Sequence, residues 1–236
     1  MEEVLKKKIA IAAHNLFKKL FRDSESIGIG TGSTIRYFVI EAIRSNLFKN
    51  KLLYASSYDT LYMLQNSGID ADIAPKADSI DIYIDGFDEA SYNLDLVKGR
   101  GGAFHWEKIL AKRSRIRIYI GDYTKFNENP CLFLKPIPIE VKCDKLLEAY
   151  EVFQREGLKP IIRKGLRKDG PIISDSGNCI IDLHPPIVCN PAAFDSALKR
   201  VSYVVETGIF PNNLVDYLLV AGPSEHSIRI FMRKIY

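Results

Sequence analysis

Apolar residues recur along this chain with two periods that take turns. Over 2–22, Leu5, Ile9, Ala12, Leu16 and Leu20 return at helical spacing with lysines opposite, which predicts an amphipathic helix. Ser26 to Gly30 (SIGIG) reads as a short strand entering Thr31-Gly32-Ser33-Thr34, and the next helix carries Ile35, Phe38, Val39, Ala42 and Ile43 on one face. Leu52 to Ala55 is another strand, ending in Ser56-Ser57-Tyr58-Asp59-Thr60 and a helix through Gln65. Ile80 to Ile84 alternates between apolar and other residues, as a strand does. From Ala103 the pattern turns helical, with Phe104, Ile109 and Leu110 on one side; residues 116–121 are again a strand, closing in Asp122-Tyr123-Thr124-Lys125. Strands alternating with helices predict a mostly parallel, doubly wound sheet.

The texture changes near Asn127, where Pro130, Pro136 and Pro138 mark a connection. A strand over Ile139–Cys143, a helix from Asp144 to about Gly157 and a strand over Lys159–Arg163 are expected next. Lys168-Asp169-Gly170 reads as a hairpin turn, followed by strands at Pro171–Ser174 and Cys179–Leu183 joined by Asp175-Ser176-Gly177-Asn178. A helix over about Pro191–Lys199 completes a compact α+β piece. Strands near Tyr203–Val205, Val215–Val220 and Ser227–Phe231 follow, the last two rejoining the first sheet, with Glu206-Thr207-Gly208 as the crossing. The domain reading is therefore 1–130 plus 206–236 for the first unit and 131–205 for an inserted second.

Length and composition add bounds. The 236 residues suffice for one large or two modest domains. A net charge of +4 suits an anionic metabolite and is too weak to argue for nucleic acid. No apolar run approaches the length of a membrane span, and MEEVLKKK lacks the apolar core of a signal peptide. Cys131, Cys143, Cys179 and Cys189 show no Cys-x-x-Cys spacing; they fit reduced, buried thiols and a cytoplasmic location. His14 reads as a surface or core histidine rather than a ligand.

Candidate chemistry concentrates in 80–112. Asp85, Asp88 and Glu89 follow a strand end around a glycine; Lys98 and Gly99-Arg100-Gly101-Gly102 come next, and Glu107 sits in the first turns of a helix. Carboxylates and a lysine converging on one cleft can take, hold and return a proton. Amides bared by glycine can stabilise an oxyanion. Taken alone, the stretch reads slightly better as a solvated acidic loop before a capped turn. The 31–34 turn offers amides, hydroxyls and a helix start to a phosphate. It is no Walker loop, and Ser33 stands where the third glycine of a dinucleotide fingerprint belongs; a tight turn with an N-cap is the plainer alternative.

Read together, the motifs resemble the type A ribose-5-phosphate isomerases. The matching pieces are GIGTGST (28–34), Ser56-Ser57 with Thr60, DGFDE (85–89), KGRGGA (98–103), Glu107-Lys108, and Asp122 with Lys125, then PIPIEV (136–141), DSGNCIID (175–182) and VVETGIF (204–210). They stand in the family's order and roughly its spacing across nearly the whole chain. The resemblance implies an α/β, Rossmann-like, mostly parallel sheet domain carrying the site, with an inserted smaller α+β ferredoxin-like domain often used in assembly. It implies interconversion of ribose 5-phosphate and ribulose 5-phosphate without metal or organic cofactor, by a homo-oligomer, dimer or tetramer.

Carried over residue by residue, the resemblance makes Glu107 the base that moves a proton between C1 and C2. Asp85 and Lys98 become the groups for ring opening and oxygen charge, and Asp88 a second aspartate on the substrate. Thr31, Gly32, Ser33 and Thr34 become the phosphate loop, and Lys125 a lysine at the substrate's edge; Gly99, Arg100 and Gly101 complete the binding set, and Lys6 is a further candidate for the phosphate. Phe87 stands where alanine is usual, Arg100 interrupts an all-glycine run, Trp106 replaces a common arginine and Ser176 a common asparagine. Competing readings keep the fold: a related sugar-phosphate isomerase or deaminase, a coenzyme A transferase with a nucleophilic glutamate, or a non-enzymatic sugar-phosphate sensor. A transferase needs a large acyl-carrier pocket, for which no sequence feature speaks. A sensor has no need of both Glu107 and Lys98, and normally carries a DNA-binding segment.

Overall fold

A computed structural model of the chain describes residues 2–224 and 227–233. The N-terminal helix expected over 2–22 is broken into α1 (Glu2–Leu16) and α2 (Lys18–Asp23). Phe17, between them, leaves the helical region at φ −102° and ψ 12°, and its ring packs edge-on against Tyr217 at 4.9 Å. Next come β1 (Ser26–Ile29), α3 (Ser33–Arg44), β2 (Leu52–Ala55), α4 (Tyr58–Asn66), β3 (Asp72–Ile73) and β4 (Ile80–Gly86). Two short strands, β5 (Glu89–Ala90) and β6 (Leu96–Val97), precede α5 (Phe104–Arg113) and β7 (Ser114–Asp122). The α+β elements are β8 (Ile137–Val141), α6 (Leu146–Arg155), β9 (Ile161–Ile162), β10 (Cys179–Leu183), α7 (Pro191–Leu198) and β11 (Val204–Thr207). The strands β12 (Ile209–Phe210), β13 (Tyr217–Ala221) and β14 (Ile228–Met232) close the described chain.

The chain divides into two compact units. Among the described residues, 2–87, 106–126, 212–224 and 227–233 form the first; 88–105 and 127–211 form the second. The expected 131–205 piece falls inside the second unit, which also takes 88–105.

In the first unit a seven-stranded sheet runs β14-β13-β7-β4-β1-β2-β3. Its pairs are parallel except β13 with β14. Parallel strands are buried on both faces, and β1 is buried at all four positions and β4 at five of its seven, Asp85 among them. Ile27, Ile29, Ile82, Ile84, Ile118 and Ile120 from the strands meet Ile9, Ala13, Phe38 and Val39 from the helices in one core. The expected faces of α3 hold, with Ile35, Phe38, Val39 and Ala42 buried.

In the second unit a four-stranded antiparallel sheet runs β11-β8-β10-β9, and a three-stranded one runs β12-β6-β5. Ile137, Ile139, Val141, Ile181 and Leu183 from the larger sheet pack with Ala149 and Phe153 of α6. The strand expected at Pro171–Ser174 is reduced to isolated bridges at Pro171 and Ile173, and Pro171 has no N–H for a regular ladder.

The cysteines correct the sequence reading. They are not reduced thiols: Cys131 bonds Cys189 and Cys143 bonds Cys179, with Cα separations of 4.2 and 5.0 Å. Each pair flanks an antiparallel contact. Leu132 bridges Val188, and Val141 registers with Cys179. The partners are 58 and 36 residues apart, so only the fold brings them together.

Candidate active site

In the first unit the sheet order places β1 beside β4, while the chain winds away from β1 through β2 and β3 and from β4 through β7 and β13. Ligands of open α/β sheets bind at such a switch point, outside the carboxyl ends of the strands. The segments emerging there are 30–34 after β1 and Asp85-Gly86 at the end of β4.

Asp85 is fully buried. Its Oδ1 accepts the Thr31 amide at 3.1 Å and the Gly86 amide at 2.7 Å; its Oδ2 accepts the Tyr83 hydroxyl. A side chain on Gly30 would occupy the space of the Asp85 carboxyl, so glycine at 30 is a condition for this placement.

Thr31 joins a relay of hydroxyls. It donates to Ser57 Oγ at 2.7 Å, Ser57 donates to Thr60 Oγ1 at 3.2 Å, and Thr60 donates to the Gly30 carbonyl at 2.7 Å. With the Thr31 proton so used, Ser56 Oγ donates to Thr31 Oγ1 at 2.8 Å. Gly32, at φ +111°, is the N-cap of α3 and makes no side-chain cap, and Ser33 and Thr34 open the helix. The first amides of a helix lack intrahelical acceptors, and the helix dipole favours an anion there.

Glu107 lies buried in the first turn of α5. Trp106 beside it in sequence is buried, with its ring 5.1 Å from that of Tyr58. Burial, then the charges of Asp85 and Glu107, push the Tyr83 phenol well above its ordinary value of 10.0. Tyr119 is pushed the same way, by burial first and the Asp85 charge next. Lys125 donates to the Phe87 carbonyl at 3.0 Å. The Phe87 ring lies where a side chain on Gly121 would stand, which is how this chain accommodates a phenylalanine between two aspartates.

The second unit holds the other expected site residues. Lys98 is buried; its amide donates to the Gly208 carbonyl at 2.8 Å, and its Nζ stands 5.5 Å from the Phe210 ring centre. Gly99, at φ +109° with the Phe104 ring packed on it, starts a turn closed by the Gly102 amide on the Gly99 carbonyl at 3.0 Å. The Arg100 amide donates to Asp88 Oδ2 at 2.9 Å, and Arg100 Nε stands 3.9 Å from Asp88 Oδ1. Arg163 clamps this turn from 64 residues further along: its Nη1 donates to the Gly99 carbonyl at 2.8 Å and the Arg100 carbonyl at 3.2 Å, while Nε and Nη2 grip Asp182.

The structure thus gathers Thr31, Gly32, Ser33, Thr34, Asp85, Glu107 and Lys125 in the first unit, and Asp88, Lys98, Gly99, Arg100 and Gly101 in the second. Lys6 pairs with Glu2 at 2.5 Å on its own helix. His14 is buried, with Nε2 2.8 Å from Ser45 Oγ. Among the described residues no group of three or more His, Cys, Asp or Glu is arranged to hold a metal, and no helix is long and apolar enough to cross a membrane. Sequence reasoning missed Tyr83 and Arg163, and left Ser56, Ser57 and Thr60 outside the binding set. The repeated small hydroxyls after β2 signalled the last three; nothing local signalled Arg163.

The family profile described as ribose 5-phosphate isomerase A (phosphoriboisomerase A) matches residues 52–225. The chain named ribose-5-phosphate isomerase A from Pyrococcus abyssi is 35% identical over 208 residues, covering 86% of this chain and 89% of that one. The one from Streptococcus pneumoniae is 34% identical over 223 residues, covering 93% and 94%. Among solved structures, a D-ribose-5-phosphate isomerase in complex with phospho-erythronic acid superposes with a TM-score of 0.88 at 31% identity, over 99% of this chain and all of that one. The ribose 5-phosphate isomerase A of Methanocaldococcus jannaschii gives 0.86 at 29% identity, over the same shares. The chain belongs to the ribose 5-phosphate isomerase A family.

Proposed function

We propose that this chain interconverts D-ribose 5-phosphate and D-ribulose 5-phosphate through an enediolate, with the side chains above in the following roles. The phosphate is held by 31–34, through the open amides of α3 and the Ser33 and Thr34 hydroxyls. Asp85, assisted by Lys98, opens the furanose: the C1 hydroxyl loses its proton, the bond from C1 to the ring oxygen breaks, and that oxygen gains a proton. Glu107 then removes the C2 proton. The C–H electron pair forms the C1–C2 double bond, and the carbonyl electrons move onto O1, where the Lys98 ammonium offsets the charge. Glu107 returns the proton to C1 as the O2 proton passes to O1, leaving the ketone at C2. Asp88, Gly99, Arg100, Gly101 and Lys125 complete the binding set.

The observation that carries this reading is the Thr31 amide on Asp85 Oδ1, which ties the anion-binding turn to the ring-opening carboxylate at the switch point. The phosphorylated sugar acid bound to a structural relative agrees with the ligand class. These roles need neither metal nor organic cofactor. The reading further takes the protein as a homo-oligomer, a dimer or a tetramer, on the strength of the family resemblance; it keeps a cytoplasmic location, for which the cysteines, paired in two disulfides, no longer speak. The test is a coupled assay of purified protein with ribose 5-phosphate. Turnover is expected; none with ribose 5-phosphate, against turnover of another sugar phosphate, would move the reading to a sister isomerase.

A further inference from the structure

Tyr83 is a buried titratable group that the proposed steps leave unused, and its surroundings are unusually specific. It lies two residues before Asp85 on β4, and residues two apart on a strand project from the same face. Two glycines of β1 make room for the pair. Gly28 is the register partner of Tyr83, and a Cβ there would stand 3.0 Å from the ring; Gly30 clears the Asp85 carboxyl. Glycine weakens a buried strand and is found where another group must come close. From the other side, Tyr119 on β7 registers with Asp85 and meets the Tyr83 ring edge-on, 6.0 Å between centres at 86°.

We propose that Tyr83 is a positioning residue for ring opening. Two main-chain amides hold Asp85 Oδ1, and the Tyr83 hydroxyl holds Oδ2. Together they fix the plane of the carboxylate, which neither oxygen's donors do alone. Burial and the neighbouring carboxylates keep the phenol protonated through the working range, so it acts as a fixed donor and moves no proton in the reaction. Its removal therefore harms the step that depends on the aim of Asp85, and spares the C1–C2 proton shift that depends on Glu107. This inference rests on the roles of Asp85 and Glu107 proposed above.

Two rates measured on one sample of the full chain test it. The first is conversion of ribose 5-phosphate, which is mostly cyclic and must be opened. The second is solvent-deuterium incorporation at C1 of ribulose 5-phosphate, an acyclic ketose because its C5 oxygen carries the phosphate. In Tyr83→Phe the first should fall at least about tenfold relative to the second, a part of the 10²–10⁴-fold that a positioned acid–base group contributes. Because both rates come from the same sample, a partly folded preparation cancels in the ratio. Gly28→Ala, which crowds the Tyr83 ring without removing its hydroxyl, should move the ratio in the same direction by less, and serves if Tyr83→Phe does not fold. Equal losses in both rates, or an unmoved ratio in the folded variants, would overturn the proposal. Failure of the underlying roles looks different: Asp85→Asn would leave the ratio unmoved, or Glu107→Gln would keep the deuterium exchange.

Discussion

Asp85, Asp88 and Glu89 stand within five residues, and their partners separate them. Asp85 takes two amides and a phenol, and Asp88 takes one amide. Glu89 is fully buried and accepts from Asn127 Nδ2 and from the amides of Phe133, Leu134 and Lys135, all at 2.8–2.9 Å. Glu89 is a brace for the 127–135 segment. Glu89→Gln places an NH₂ against donors that need an acceptor, so it should cost about 1–3 kcal/mol in denaturant unfolding while kcat stays within a few-fold of the parent. A large loss of kcat at unchanged stability would return Glu89 to the site. Asp85, Lys98 and Glu107 were legible as candidates because carboxylates and a lysine crowd a strand end beside glycines. Tyr83 was not, since a tyrosine in an alternating apolar run looks like core. Glycines 28 and 30 read from sequence as part of a strand entering the phosphate turn, and the room they make for Tyr83 and Asp85 shows only once β4 lies beside β1.

Between elements, a buried carboxylate and two disulfides organise the second unit. Glu140 on β8 receives Ser174 and Ser176 hydroxyls and Asn178 Nδ2 from the loop before β10, with His105 Nδ1 3.2 Å from its other oxygen. Burial raises the Glu140 pKa, but the hydrogen bonds of His105, Ser174 and Ser176 outweigh it and hold the group below its ordinary 4.5. A carboxyl held low in the folded state adds stability that is complete above about pH 4.5 and is lost as pH falls through its lower folded value. The stability difference between the parent and Glu140→Gln should therefore shrink as pH drops below 4.5. A difference constant from pH 6 to 3 would contradict this. Ser176, an uncommon residue in the motif, is explained by these contacts. The disulfides close spans of 58 and 36 residues, and each should contribute about 2–4 kcal/mol. Reductant should lower the unfolding midpoint of the parent, and a variant with all four cysteines changed to serine should not respond. Neither bond was legible, because cysteine spacing is silent about which strands pair. Between β1 and β7, the strands β1, β2, β4 and β7 were legible to within two residues, because each carries its own apolar run; the two-residue strands β3, β5 and β6 were not, being too short to show a period. It was least legible around 171–174, where Pro171 cannot support a regular ladder.

For the whole molecule, the order of the motifs carried more than any one of them, and both the family and the fold follow from it. The reaction as proposed uses carboxylates, a lysine and main-chain amides, so turnover should persist in excess chelator; loss restored by one divalent cation would overturn that part. The central claim is that Glu107 moves the proton. In the structure it occupies the first turn of α5, where a glutamate also suits the helix dipole, an effect of about 0.3–1 kcal/mol. The direct measurement follows ribose 5-phosphate deuterated at C2, reacted with the parent and with Glu107→Gln, while phosphate binding is monitored in both. The account predicts that Glu107→Gln loses about 10²–10⁴-fold in kcat and in label washout, with phosphate affinity near the parent's. Washout at the parent's rate in Glu107→Gln would show that another group is the base.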